Sequence, residues 1–499
     1  MSHETAPASA SSTGPLPPTW AEENQRALMA AIATIRQRLE PPAPSPDQPT
    51  APDEALNPPA ALDRICHAFA LSPFERDLLL LCAGVELDSS FAEACARAHR
   101  DPSRTYPTFS LALATLPDPH WSALPPAAPL RRWRLVEVQQ PATPLLSAPL
   151  RIAERVLHAL TGIHYLDERL ASLLEPVAVI ALVPSHQAVA VQVAASIRHQ
   201  PFSAAAQPAV PLVHLFGSDP ATRQAIAAAA CATLSLALYA LDAEHVPQSS
   251  DDLYSFLRHW ERETALAGCA LYVETEPLDR GDSKAAAQVS RLAELLPGIV
   301  IMGAREVWRP LRRPAVWLET AKPSSDEQHQ VWTTALGPQA ATLNGSLHRL
   351  VSQFNLSAAG IEGAARRALT TASSSAQPDD APLQTHLWNA TCAQARPRLD
   401  DLAQRIDSLA SWDDLVLPDA TLQILREIAA QVAQRGTVYR EWGFGSRSAR
   451  GLGVSAMFAG SSGTGKTMAA EVLATSLHLD LYRIDLSSVV SKYIGETEK

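Results

Sequence analysis

One stretch near the end of the chain constrains its fold more than any other. Val454-Ser-Ala-Met-Phe-Ala-Gly460 is short, apolar and β-prone, Ser461-Ser-Gly-Thr-Gly-Lys-Thr467 is glycine-rich, and Met468 to Leu477 is made of strong helix formers in helical period. The order predicts strand, loop, helix. Gly460, Gly465, Lys466 and Thr467 fit G-x-x-x-x-G-K-[ST], a phosphate-cradling loop. Glycines at 460, 463 and 465 let successive backbone amides face phosphate oxygens without side chains in the way. A helix opening near Lys466 adds its own unpaired amides and the positive end of its dipole. Ser461, Ser462, Thr464 and Met468 complete the expected cradle. Lys466 is expected to reach the β- and γ-phosphates, and the Thr467 hydroxyl to ligate Mg²⁺.

Leu479 to Leu486 reads as a second strand, followed by Ser487-Ser-Val-Val-Ser-Lys-Tyr-Ile-Gly-Glu-Thr-Glu-Lys499. Here the chain resembles AAA+ ATPases, an α/β P-loop NTPase family. Members carry a similar Lys-aromatic-hydrophobic-Gly-Glu run as a pore loop that grips polypeptide in the channel of a hexamer. The resemblance implies ATP and Mg²⁺ as cofactors, a polypeptide substrate, a homo-hexamer, and a substrate loop made by Lys492, Tyr493, Ile494 and Gly495. It also places Asp414 and Leu415, in Leu409-Ala-Ser-Trp-Asp-Asp-Leu-Val-Leu-Pro418, beside the adenine. A ring buried at a strand end is the plain alternative for Tyr493, and a strand-turn the alternative for Asp414 and Leu415. The family's remaining catalytic parts are an apolar strand ending Asp-Glu, a polar sensor and arginines that reach a neighbour's γ-phosphate. These are expected beyond residue 499, in a longer protein. Without them the site is expected to hold nucleotide poorly and turn it over negligibly.

A length of 499 residues allows about three domains. The 41 basic against 52 acidic residues give a net charge of −11, which disfavours a mainly nucleic-acid-binding chain. The six cysteines form no C-x-x-C pair and read as buried reduced thiols. With no basic-then-apolar leader, and with Gln224 to Leu241 read as a helix followed by a buried strand, a cytoplasmic protein without a membrane span is expected.

Taken in order, residues 1–59 read as disordered or proline-rich around one amphipathic helix at 19–40, opened by the capping box Thr19-Trp-Ala-Glu22. Residues 60–175 read as a helical, winged-helix-like domain, with Ser72-Pro-Phe-Glu75 opening a strongly apolar helix and Arg131 to Val138 forming a strand. The Arg131, Arg132, Arg134 and Trp133 cluster is the one basic-aromatic feature to weigh for nucleic acid; a solvated strand face is the better reading. Strands at Val177–Val183, Leu212–Phe216, Cys269–Val273 and Ile299–Met302 alternate with helices over 176–320, which predicts a helix-covered parallel sheet. Residues 321–400 turn helical, like an AAA+ lid, and 401–499 begin an active module.

A shift of 243 residues lays Gly217-Ser-Asp-Pro-Ala-Thr-Arg-Gln224 on the P-loop without a gap, and Leu234, Leu236, Tyr239 and Asp242 on Leu477, Leu479, Tyr482 and Asp485. This first copy looks like a degenerate AAA+ module. Thr222 replaces a glycine, Arg223 the lysine and Gln224 the hydroxyl, while Pro220 removes an amide. Cys269 to Glu274 stands in the place of a metal-binding strand but lacks an Asp-Glu end. The copy is expected to be a non-hydrolysing scaffold. The layout is similar to tandem-module bacterial ATPases found with phage-tail-like contractile injection systems, whose components are then candidate partners. ATP-driven protein remodelling is the leading expectation; an ATP-gated assembly platform is the alternative.

Overall fold

The computed structural model describes residues 19–40, 59–139, 143–198, 211–276, 283–307, 313–374, 382–396, 403–444 and 453–484. They group into two compact units, one within 1–180 and 190–319, the other within 181–189 and 320–499.

The first unit opens with the helix Trp20–Leu39, where the Thr19 amide donates to Glu22 Oε2 (2.9 Å) to close the N-terminus. Leu28, Ile32, Ile35 and Leu39 form its buried stripe. Pro73–Leu87 follows the same logic: Ser72 Oγ accepts from the Glu75 amide, and Glu75 answers the Ser72 amide. Leu78 to Leu81 are all fully buried, so this helix is covered on every side by its neighbours. Its Gly84 lies where Phe91 packs, and a Cβ there would fall 2.5 Å from Phe91 Cζ. Helix propensity favours Gly84→Ala by about 1 kcal/mol, whereas overpacking a rigid core costs about 1–3 kcal/mol. Overpacking is expected to win, and a lower urea midpoint with an unchanged slope would show it.

Arg131 to Val138 is not the single strand expected. Pro129 opens a short helix, Pro129–Arg132, Arg134 takes a left-handed conformation (φ 51°), and only β1 (Val136–Val138) is extended, antiparallel to β2 (Leu150–Ile152). Proline's fixed φ suits a first helical turn, which outweighs the β-prone run. The basic cluster is used internally. Arg131 donates to the Leu124 carbonyl (2.7 Å), Arg132 pairs with Glu261 (2.9 Å), and Trp133 is buried against Phe69.

The rest of the unit is a six-stranded sheet: β3 (Glu175–Pro176), β4 (Leu212–Phe216), β5 (Ala237–Asp242), β6 (Cys269–Glu274), β7 (Val300–Ala304) and β8 (Ala315–Glu319). The spatial order is β3-β5-β6-β7-β4-β8, all parallel except the edge strand β3. The expected Val177–Val183 strand is corrected. Pairing ends just past Pro176, where the Val177 amide donates to Leu238 O, and Val179 and Ile180 are exposed. An apolar run becomes a strand only where a neighbour offers its backbone groups.

The helix Ser250–Ala267 joins the sheet to the N-terminal helices. Leu253, Phe256 and Trp260 enter the sheet's core, while Ala265 and Leu266 pack on the other cluster. Between them lies a buried ionic group: Arg155 with Glu263 (3.1 Å), both no more than 2 % exposed, and Arg262 with Asp167. His259 sits beside them. Burial, with Arg262 and Arg134 nearby, pushes its pKa down to about 4, so a neutral ring donates from Nδ1 to Ser255 O (2.7 Å) and accepts at Nε2 from Arg169 (3.0 Å).

In the second unit, Ser325–Leu336, Asn344–Gln353, Ala358–Ser374 and Leu383–Ala395 pack around Trp332, Leu347, Ile361 and Leu387. Ser357 caps the third, accepting from the Gly360 amide (3.2 Å). The unit also holds β9 (Ala403–Ile406), antiparallel to β10 (Leu481–Ile484), and the helices Asp419–Ala433 and Lys466–Leu477. Among the described residues, no helix is long and apolar enough to cross a membrane, and no group of His, Cys, Asp or Glu is placed to hold a metal.

Candidate nucleotide site and its counterpart in the first unit

The loop 460–465 turns on three glycines. Gly463 and Gly465 have φ of 85° and 81°, the left-handed region, and Gly460 has φ 154°. A Cβ on Gly460 would lie 2.9 Å from Thr464 Oγ1, which itself donates to Ser461 O (3.0 Å). Lys466 curls back over the loop and donates from Nζ to Gly460 O (2.9 Å) and Ser461 O (2.7 Å). The first amide past the loop with a well-aligned backbone acceptor is that of Ala469, which donates to Gly465 O (2.9 Å). The first-turn amides of the helix, at 466–468, have no intrahelical acceptor. A cation held by neutral carbonyls beside the open first turn of a helix is the donor set a polyphosphate requires. Ser461, Ser462, Thr467 and Met468 are solvent-exposed, so a ligand can reach them.

Leu415 is buried in a small core with Leu425, Ala469 and Val472, which sets 412–415 against the P-loop helix. The Asp414 carboxylate accepts from the Ser411 amide (2.7 Å) and hydroxyl (2.9 Å), and these bonds hold its pKa below the usual range. Lys492, Tyr493, Ile494 and Gly495 lie outside the described residues. The expected strand Val454–Gly460 is corrected: the segment has no regular structure, pairs with no described strand, and leaves Met457 91 % exposed. Its composition suits a central strand, but no described neighbour flanks it.

The far end of the P-loop helix is held by the helical segment before it. Trp388 Nε1 donates to His478 O (2.7 Å), while Arg396 (2.9 Å) and Arg405 (3.2 Å) both pair with Asp480.

The repeat found in sequence recurs in backbone geometry at the same shift. Gly217 has φ 159° against 154° at Gly460; Ser235 and His478 end the two helices at φ 57° and 55°. Leu236 N donates to Cys231 O (2.9 Å) as Leu479 N does to Ala474 O (3.0 Å). Each following strand is flanked by an antiparallel edge strand, β3 on β5 and β9 on β10. Arg223 also donates to the Gly217 carbonyl, as Lys466 does to Gly460.

The surroundings differ. Arg223 is fully buried, and its Nη2 reaches Glu274 Oε1 (2.9 Å) and Glu276 Oε2 (2.6 Å). Glu276 is a partner that sequence reasoning missed. The available signal was the Glu-x-Glu ending of the β6 segment, a pair of carboxylates two residues apart.

A P-loop at the start of a helix, with a second such loop on a parallel sheet, defines a P-loop NTPase architecture. The family comparisons agree. Residues 456–499 match the ATPase family associated with various cellular activities (AAA), and 20–174 match a variant winged helix domain. The chain is thus similar to AAA+ ATPases. Its kind is narrowed by 324–397, which match the contractile injection system ATPase helical domain.

Two curated relatives cover short stretches. An uncharacterized AAA family ATPase, y4kL, of Sinorhizobium fredii is 33 % identical over 97 residues, 19 % of this chain and 27 % of that protein. Protein SAP1 of Saccharomyces cerevisiae is 36 % identical over 89 residues, 18 % of this chain and 9 % of that protein. A solved structure of Rhizobiales Trip13 aligns with TM-score 0.27 at 19 % identity, covering 45 % of this chain and 92 % of that one.

Proposed function

We propose that the chain binds Mg·ATP at 460–468 and that the protein it belongs to hydrolyses ATP to remodel or unfold polypeptides as a hexamer in the cytoplasm. The observation that supports this most is the loop itself, an ammonium parked on carbonyls beside the first-turn amides of a helix. On this reading Gly460 to Gly465 wrap the phosphates, Lys466 leaves the Gly460 and Ser461 carbonyls for the β- and γ-phosphates, and Thr467 orients the metal. Mg²⁺ supplies charge neutralisation of the transferred phosphoryl group. Leu415, lying against the P-loop helix, suits a place near the base. Binding is the property proposed for this chain's loop, and turnover the property proposed for the whole protein. The proposed layout is an N-terminal helical region, a scaffold module over 176–320 with its lid at 321–400, and the working module from 401.

Calorimetric titration of Mg·ATP into the full-length protein tests it; no heat of binding removes the reading. The family match at 324–397 supports contractile injection system components as partners. Tyr493→Ala separates the motor from a platform: a motor loses substrate remodelling while still binding ATP, and a platform loses neither.

A further inference from the structure

We infer that the loop-and-strand site of the first unit is a guanidinium site permanently filled by the chain's own Arg223, which settles that loop without nucleotide. The comparison with a nucleotide site rests on reading 460–468 as a triphosphate cradle; the filling by Arg223 does not.

The positive charge that Arg223 could offer a phosphate is already spent. Arg223 has no exposed surface and bridges the Gly217 carbonyl to Glu274 and Glu276. Glu274 is fixed in turn. Tyr272 OH donates to its Oε2 (2.7 Å), and the amides of Thr275 (3.0 Å) and Glu276 (3.1 Å) donate to its Oε1. Tyr272 can reach it because residue 303 is glycine; a Cβ there would lie 1.9 Å from the phenol oxygen.

At the helix N-terminus the Asp219 carboxylate takes the Thr222 amide (3.0 Å) and the Thr222 hydroxyl, so an internal anion stands where a phosphate would dock. At the matching position of the second loop is Ser462, which carries no charge. An incoming phosphate would meet Asp219, Glu274 and Glu276 as like charges, with Arg223 already bonded to both glutamates.

The fork geometry matters. A guanidinium reaches a carbonyl from one nitrogen and two carboxylates from another, whereas an ammonium is a point charge. Burial works to lower the Arg223 pKa, but the Glu276 and Glu274 carboxylates more than reverse it, leaving the pKa raised.

Chemical rescue tests the site. Arg223→Ala in the full chain is expected to lower the melting temperature by more than about 5 °C and to speed hydrogen exchange in 212–223. Methylguanidinium at low millimolar concentration should restore both, methylammonium at the same concentration neither. An unshifted melting temperature, or rescue by methylammonium to the same extent, overturns the inference. Should Arg223→Ala not fold, Arg223→Lys decides: it keeps the charge but not the fork, and wild-type melting would overturn the proposal.

Nucleotide stoichiometry gives the independent arm. One Mg·ATP per chain, lost in Lys466→Ala, is expected; a second site that survives Lys466→Ala overturns the self-filled site. Zero sites would sink the cradle reading at 460–468 while the rescue result still judged Arg223.

Discussion

Lys466→Ala is expected to abolish ATP hydrolysis by the full-length protein, with turnover down by at least about 10²–10³-fold, the scale set by removing one preorganised charge-stabilising donor. The side chain's own bonds are to two loop carbonyls at the surface, Gly460 O and Ser461 O, and it supports no core. Stability should therefore move by no more than about 0.5 kcal/mol, as for an ordinary surface change. Coupled-assay turnover and a melting curve on the same preparation check both parts. Unchanged turnover would end the P-loop reading, and a large fall in stability would mean that the loss of activity reports unfolding.

Glu263→Ala should be strongly destabilising, by about 3–5 kcal/mol. It leaves the Arg155 guanidinium, 2 % exposed, without the carboxylate that its Nε meets at 3.1 Å. The Nη nitrogens of Arg155 have no hydrogen-bond partner among the described residues, and the guanidinium lies over the Tyr165 ring, so no other carboxylate takes over. Removing both partners should behave differently. Burial raises the Glu263 pKa despite Arg155 and Arg262, so desolvation exceeds what pairing returns. A raised carboxyl pKa in the folded state means that the fold binds the extra proton, and stability falls as pH rises from the unfolded value through the folded one. Arg155→Met with Glu263→Leu should then recover most of the loss. Urea unfolding of the two single variants and the double variant measures this; a double variant as unstable as the sum of the singles would refute it.

Much of this protein was legible in its residues because the deciding physics is local. Thr19 with Glu22 and Ser72 with Glu75 are capping boxes within four residues, and both helices begin where those pairs put them. The alternation of β4, β6 and β7 with helices needed only pattern. The repeat was readable as a shift of 243 residues, and its backbone signature at Gly217 and Gly460 shows why: the turn, more than the chemistry, has kept its residue types.

Strands were legible only where a neighbour completes them. Val177–Val183, Arg131–Val138 and Val454–Gly460 all have β-prone composition, yet pairing is a property of two segments and cannot be read from one.

The sequence alone supplied the phosphate-loop residue types at Gly460 to Thr467, their replacement at 217–224, and the starts of the helices that Thr19 and Ser72 open, since each rests on residue types a few positions apart. Tertiary structure alone decided what Arg223 pairs with. Glu274 and Glu276 stand some fifty residues from Arg223, and only the parallel packing of β6 and β7 beside β4 brings their carboxylates onto its guanidinium. The same holds for Arg155 with Glu263, 108 residues apart, where burial and not sequence spacing sets the energy of the pair.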